Sequence, residues 1–148
     1  MRLPLPLDSV DQIADSLDRA AARRAWAYFE NNLNSDTGMV NAVDTLPWAT
    51  WWDQGSALLG IHAARQLGLI SETELNEKLS VLLRTLERLP LPTTRLPNKA
   101  YSTDTATMRT LSNQPDPYGT SGWAALDLGR YLVALYTLKT HYPEFRDL

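Results

Sequence analysis

The 148-residue chain contains no cysteine. Disulfides, thiolate nucleophiles and cysteine-based zinc sites are therefore excluded, and the redox compartment is left undecided. Histidine is scarce. His62 and His141 are the two present, and neither has a histidine or carboxylate partner at metal-ligand spacing along the sequence, so no metal and no cofactor is expected. Basic residues are few as well. The 14 Lys and Arg stand against 17 Asp and Glu, for a net charge of −3, and no basic run offers itself to a nucleic acid. The chain also lacks a phosphate-cradling glycine loop and a Gly-x-Ser-x-Gly elbow, which removes support for nucleotide and serine-hydrolase chemistry. No long hydrophobic run is present. The longest charge-free stretch of the second helical pattern, 54–64, falls well short of the roughly 20 residues that a membrane span needs. The start, Met1-Arg2-Leu3-Pro4-Leu5-Pro6-Leu7, is too short and too proline-rich for a signal-peptide core. These absences lead us to expect a soluble chain with no membrane partner, cytoplasmic, or periplasmic if made as a longer precursor. Its length suits one domain over 1–148, with a flexible segment over 1–8.

What is present is helical periodicity. Ser9, with Gln12 three residues on, reads as a capping box opening a helix whose apolar positions are Val10, Ile13, Ala14, Leu17, Ala21, Ala25, Phe29 and Leu33. A second helix is expected from about Thr50 to Leu67, stopped by Gly68. Ser71 and Glu74 form another capping box, followed by Leu75, Leu79, Leu82, Leu83 and Leu86 on one stripe, with Pro90 and Pro92 closing the helix. The fourth pattern begins near Ser121 and runs to about His141.

Charge divides these helices into two kinds. Eight charged residues fall between Asp8 and Leu33 and seven between Ser71 and Leu89, but only Asp53 and Arg65 between Trp51 and Leu67, and only Asp127 and Arg130 between Ser121 and Leu138. Because charged residues are rarely buried unpaired, helices one and three are expected to face solvent and helices two and four to be enclosed. The inner-to-outer link is short, Gly68-Leu69-Ile70, whereas both outer-to-inner links, 34–49 and 90–120, are long and hold segments that can be extended, Met39-Val40-Asn41-Ala42-Val43 and Asn98-Lys99-Ala100-Tyr101. The fold expected is all-α, with four main helices forming about two helical hairpins of the (α/α) toroid type and the long loops at the pocket end. A plain four-helix bundle is the alternative.

The loops and helix starts carry a family resemblance. Thr37-Gly38-Met39-Val40-Asn41-Ala42-Val43-Asp44, Trp52-Asp53-Gln54-Gly55-Ser56, Leu96-Pro97-Asn98-Lys99-Ala100-Tyr101 and Gly122-Trp123-Ala124-Ala125-Leu126-Asp127-Leu128-Gly129-Arg130 together resemble the bacterial domain of unknown function numbered 3131. The resemblance covers roughly residues 20–145. It implies a glucoamylase-like toroid, a fold that includes glycoside hydrolases acting on bacterial glucans. The chain is similar to the N-terminal part of that domain only, two hairpins of six, so the resemblance implies a partial toroid whose inner helices have bare flanks and self-associate through them. Ala124 stands where the resemblance would put a hydroxyl residue.

Several residues are candidates for a site. Asp53, in the first turn of helix two, lies near the positive end of the helix dipole and suits a general base or an acceptor for sugar hydroxyls; Thr50-x-x-Asp53 is equally a capping box. Asp127 is expected on a buried helix, either in an ion pair with Arg130 or as a second pocket acid. Asp53 and Asp127 in one cavity would reproduce the two-carboxylate layout of glycoside hydrolysis. Trp51, Trp52 and Trp123 can stack on sugar rings or fill the core. Gln54, Asn98, Tyr101 and Asp44 can bond a saccharide or satisfy local backbone. The functional expectation is a carbohydrate-active domain, glycoside hydrolase-like if complete, with an oligosaccharide or glucan as partner. The alternatives are a non-catalytic helical module binding saccharide or protein, and a structural fragment without activity of its own.

Overall fold

The computed structural model describes residues 16–145. The expected cap at Ser9 and Gln12, and the segment 1–8, lie outside the described residues. Four helices, α1 (Ser16–Asn32), α2 (Trp51–Gln66), α3 (Glu72–Glu87) and α4 (Ala125–His141), are followed by a 3-10 turn at Pro143–Phe145. None of the described helices is long and apolar enough to cross a membrane. The structure is mostly helical, 53%, but not purely so. Three two-residue strands, β1 (Ala49–Thr50), β2 (Ala100–Tyr101) and β3 (Met108–Arg109), form an antiparallel sheet in that order. Ala49 faces Tyr101 across β1 and β2, and Tyr101 faces Met108 across β2 and β3. This sheet corrects the all-α expectation. It also ties the first long loop to the second directly above the start of α2, since β1 runs into that helix without a break. The other segment expected to be extended makes only isolated bridges, Val40 with Leu33 and Val43 with Leu46.

α3 follows its sequence pattern closely. Ser71 caps it, with Glu74 N–H donating to the Ser71 hydroxyl at 3.2 Å and Ser71 N–H donating back to the Glu74 carboxylate at 2.7 Å. Leu75, Leu79, Leu82, Leu83 and Leu86 are all buried. α2 ends where Gly68 predicts, at φ +66°, with Gly68 N–H donating to Arg65 O and Leu69 N–H to Ala64 O, the two bonds of a Schellman motif. Its start is tied to the second long loop by the sheet.

α1 is rotated from its expected stripe. Leu17, Ala21 and Ala25 are exposed, and the buried side is carried by Trp26 with half-buried Phe29. The two rings stack at 5.8 Å, and Phe29 reaches Gly60 of α2, where an added Cβ would come within 2.9 Å of the ring. Two large aromatic surfaces outweigh the contacts of one leucine and two small alanines, so they set the rotation.

α2 is enclosed as expected, touching α1, α3 and α4 and burying Trp51, Gln54, Gly55, Ala57, Leu58, Ile61 and Ala64. Gly55 brings α4 unusually close, since a Cβ there would lie 3.1 Å from the backbone of Tyr131. α4 corrects the expectation in two ways. It begins four residues later than Ser121, because Asp116 takes hydrogen bonds from the backbone N–H and hydroxyl of both Thr120 and Ser121, which commits those residues to a turn. It is also enclosed on one side only. Ala134 and Leu138 are buried, while Leu126, Leu132, Val133 and Tyr136 are exposed, since α4 rests chiefly on α2.

Candidate functional site at the mouth of the second helix

The site is built where the first long loop enters α2. The backbone N–H and the hydroxyl of Thr50 both donate to Asp53 Oδ2 at 2.8 Å, so one carboxylate oxygen closes the helix start and the half-buried residue keeps its other oxygen unengaged by these bonds. A second carboxylate is held nearby through Asn32, the last residue of α1. The Asn32 amide donates to Asp44 Oδ1 at 3.0 Å, and its carbonyl oxygen accepts from Thr45 N–H at 3.1 Å. Thr45 sits at φ 61°, a region where a β-branched residue is an outlier. The Asn32 clamp thus maintains a strained turn that presents Asp44 to solvent.

Tyr28 of α1 feels the charge of both carboxylates. Its hydroxyl donates to Asn41 O at 2.9 Å. Burial, then the charges of Asp53 and Asp44, push its phenol above the ordinary tyrosine range. The two aspartates that share one electrostatic neighbourhood are therefore Asp53 and Asp44, around a phenol. Tyr28 was not singled out in the sequence; its place three turns into an outer helix gave no local signal of a site.

The two adjacent tryptophans take opposite roles. Trp51 is buried, its indole N–H donating to Asn98 O at 2.9 Å and its ring packed edge-on against Tyr101 and Tyr131. Trp52 is 45% exposed, with the Arg130 guanidinium 4.5 Å from its ring centroid. Arg130 is fixed in turn by donating from Nε to Ser56 Oγ at 2.8 Å. This engagement corrects the expected ion pair between Arg130 and Asp127: none joins them among the described residues, and the guanidinium faces Trp52 and Ser56 instead. Asp127 is half-buried in the first turn of α4. Trp123 is 52% exposed and stands in the loop before that helix, not on it.

Three of the polar candidates are committed to the scaffold. Gln54 is 2% exposed and spends both ends of its amide on Val40, accepting from its N–H at 3.2 Å and donating to its carbonyl at 2.8 Å. Asn98 is fully buried and donates to Ala100 O and Arg109 O, which pins the β2 and β3 segments together. Tyr101 accepts from Asn98 N–H and donates to Pro90 O, both at 2.9 Å, and burial pushes its phenol up to about 12. The groups that reach the surface at this mouth are Asp44, Asp53, Tyr28 and Trp52.

The chain belongs to the family described as "Protein of unknown function (DUF3131)", whose pattern it matches over residues 20–148. No curated protein and no solved structure matches it.

Proposed function

We propose that the chain is a carbohydrate-active domain of the (α/α) toroid type that binds a gluco-oligosaccharide at the mouth of α2. The observation that carries this reading is the Tyr28 phenol under the charges of both Asp53 and Asp44, with half-exposed Trp52 directly preceding Asp53 in the first turn of α2. Carboxylates accept hydrogen bonds from sugar hydroxyls, a phenol donates or accepts, and an indole face packs on the axial C–H groups of a pyranose. Trp52 is held in place by Arg130, so little side-chain freedom is lost when a ring stacks on its open side. The alternation of short and long links, with the long loops joined over α2, supports the toroid arrangement, and the bacterial glucans implied by the family resemblance are the substrate class we favour.

Binding is better supported than hydrolysis. Asp53 already accepts two bonds from Thr50, and Asp44 one from Asn32, so both carboxylates are arranged as acceptors rather than as a proton donor for a leaving group. Calorimetric titration with gluco-oligosaccharides tests the proposal. Asp53→Asn removes a charge-assisted acceptor worth about 1.5–3 kcal/mol and should weaken binding roughly ten- to hundred-fold with a nearly unchanged melting temperature. Trp52→Ala should weaken it as well. Equal affinity in Asp53→Asn and wild type, or no binding by either, would return Asp53 to a purely capping role.

A further inference from the structure

We propose that the outer face of α4 pairs with the same face of a second copy of the chain, antiparallel about a two-fold axis between Leu132 and Val133. At helical spacing, Ala125, Gly129, Tyr136 and Thr140 run down the centre of this face, with Leu132 and Val133 to either side. Buried Ala134 and Leu138 lie on the opposite side, against α2. The face carries no carboxylate, and its one cation, Lys139, stands at the edge. Its threonine is satisfied internally, because the Thr140 hydroxyl donates to Tyr136 O at 2.8 Å. At the centre of the face the other polar side-chain group is the Tyr136 hydroxyl.

Gly129 is the informative residue. An exposed glycine inside a helix weakens it relative to alanine and requires another reason to be there. In this molecule Gly55 shows that reason at work, since it lets two helix backbones approach until a Cβ would lie 3.1 Å from Tyr131. Gly129 occupies the matching kind of position on the bare face, and an added Cβ there meets nothing within 4 Å. A second helix laid antiparallel fills that space with the residue the face itself supplies. In the register set by the axis, Tyr136 covers the partner's Gly129, Leu132 meets Val133, and Ala125 meets Thr140. Each pairing recurs on both sides, as a closed two-fold interface demands.

Size is consistent with this occupant. Leu126, Leu132, Val133 and Tyr136 are 80%, 62%, 60% and 73% exposed and offer on the order of 500 Å² per copy, so a symmetric pair covers roughly 1,000 Å², the lower bound of a specific interface. A reversible dimer of modest affinity follows.

Sedimentation velocity on the full chain over a concentration series should give a monomer–dimer equilibrium. Gly129→Leu and Tyr136→Ala should each weaken it roughly tenfold or more. Leucine favours helix over glycine, so Gly129→Leu should lose association without losing thermal stability. The absence of native cysteine permits a test of register. Under mild oxidation Leu132→Cys, next to the axis, should form a disulfide-linked dimer, whereas Leu126→Cys on the same face, far from its own copy, should not. A monomer at every concentration, a dimer untouched by Gly129→Leu, or a cross-link through Leu126→Cys would overturn the proposal.

Discussion

At the residue scale, burial and prior commitments decide which polar side chains can serve a ligand. Tyr101 and Tyr28 are both phenols near the joined loops, yet Tyr101 is buried and closed between Asn98 N–H and Pro90 O, while Tyr28 is exposed, donates only to Asn41 O and feels the charge of two carboxylates. Tyr101→Phe would leave a buried donor and a buried acceptor unpaired. It should cost about 2 kcal/mol in urea unfolding, without altering saccharide binding if the phenol is purely structural. The residue types at Gln54 and Asn98 advertise hydrogen bonding equally well, but Val40 uses both ends of the Gln54 amide, and Ala100 and Arg109 use the nitrogen of Asn98, whose oxygen is buried without a partner. Sequence identifies donors and acceptors; it does not identify which of them the backbone has already consumed.

At the element scale, helices with their own start, stop and stripe were legible, and those shaped by distant partners were not. α3 carries its capping box and its leucine stripe within one segment, and both appear as read. α4 was misplaced at its start because Ser121 serves Asp116, whose carboxyl is pushed up by burial but held below the usual range by the backbone N–H groups of Thr120 and Ser121 and their hydroxyls. Of the sheet, β2 falls inside the segment read as extended, but its pairing was hidden, since each strand is two residues long and gains its partner about fifty residues away or across a turn. Packing between elements rests on close approach at Gly55. Gly55→Ala should push α2 and α4 apart and destabilise the chain by about 1–3 kcal/mol, measured from the urea midpoint at constant m-value. That loss would contrast with the stabilisation ordinarily gained by replacing glycine in a helix.

At the scale of the whole molecule, the two histidines that are isolated in sequence meet. His62 of α2 and His141 of α4 have ring centroids 4.6 Å apart, and His62 Nδ1 is 2.9 Å from the Tyr142 hydroxyl. His141 lines a polar cleft of about 430 Å³ together with Arg65, Glu72, Tyr142 and Glu144. Burial, and then the neighbouring His141, lower the His62 pKa from its ordinary 6.5. A lowered pKa means that the unfolded chain takes up this proton first. Stability is therefore complete above the unfolded value and declines as pH falls through 6.5 toward the folded value. Thermal melts between about pH 7.5 and 5 should fall more steeply for wild type than for His62→Gln. Parallel curves would remove His62 as the source.

The sequence by itself determined the helical character, the four helices to within a few residues at most of their described ends, the inner nature of α2 and the family to which the chain belongs. The helical features rest on local periodicity, capping residues and charge spacing, which act within one or two helical turns, and the family on the motifs of the loops and helix starts. Only the tertiary structure decided which of Trp51 and Trp52 faces outward, which aspartate joins Asp53, and which side of α4 stays bare. One residue step along a helix turns a side chain by about 100°, so neighbours of the same type are separated by what packs against the helix. Asp44 and Asp53 are linked through α1, by the Asn32 clamp on Asp44 and by the Tyr28 phenol that both charges reach, relations between segments that no spacing along the chain predicts. The bare face of α4 follows from how many neighbours each helix meets, a quantity that exists only after folding.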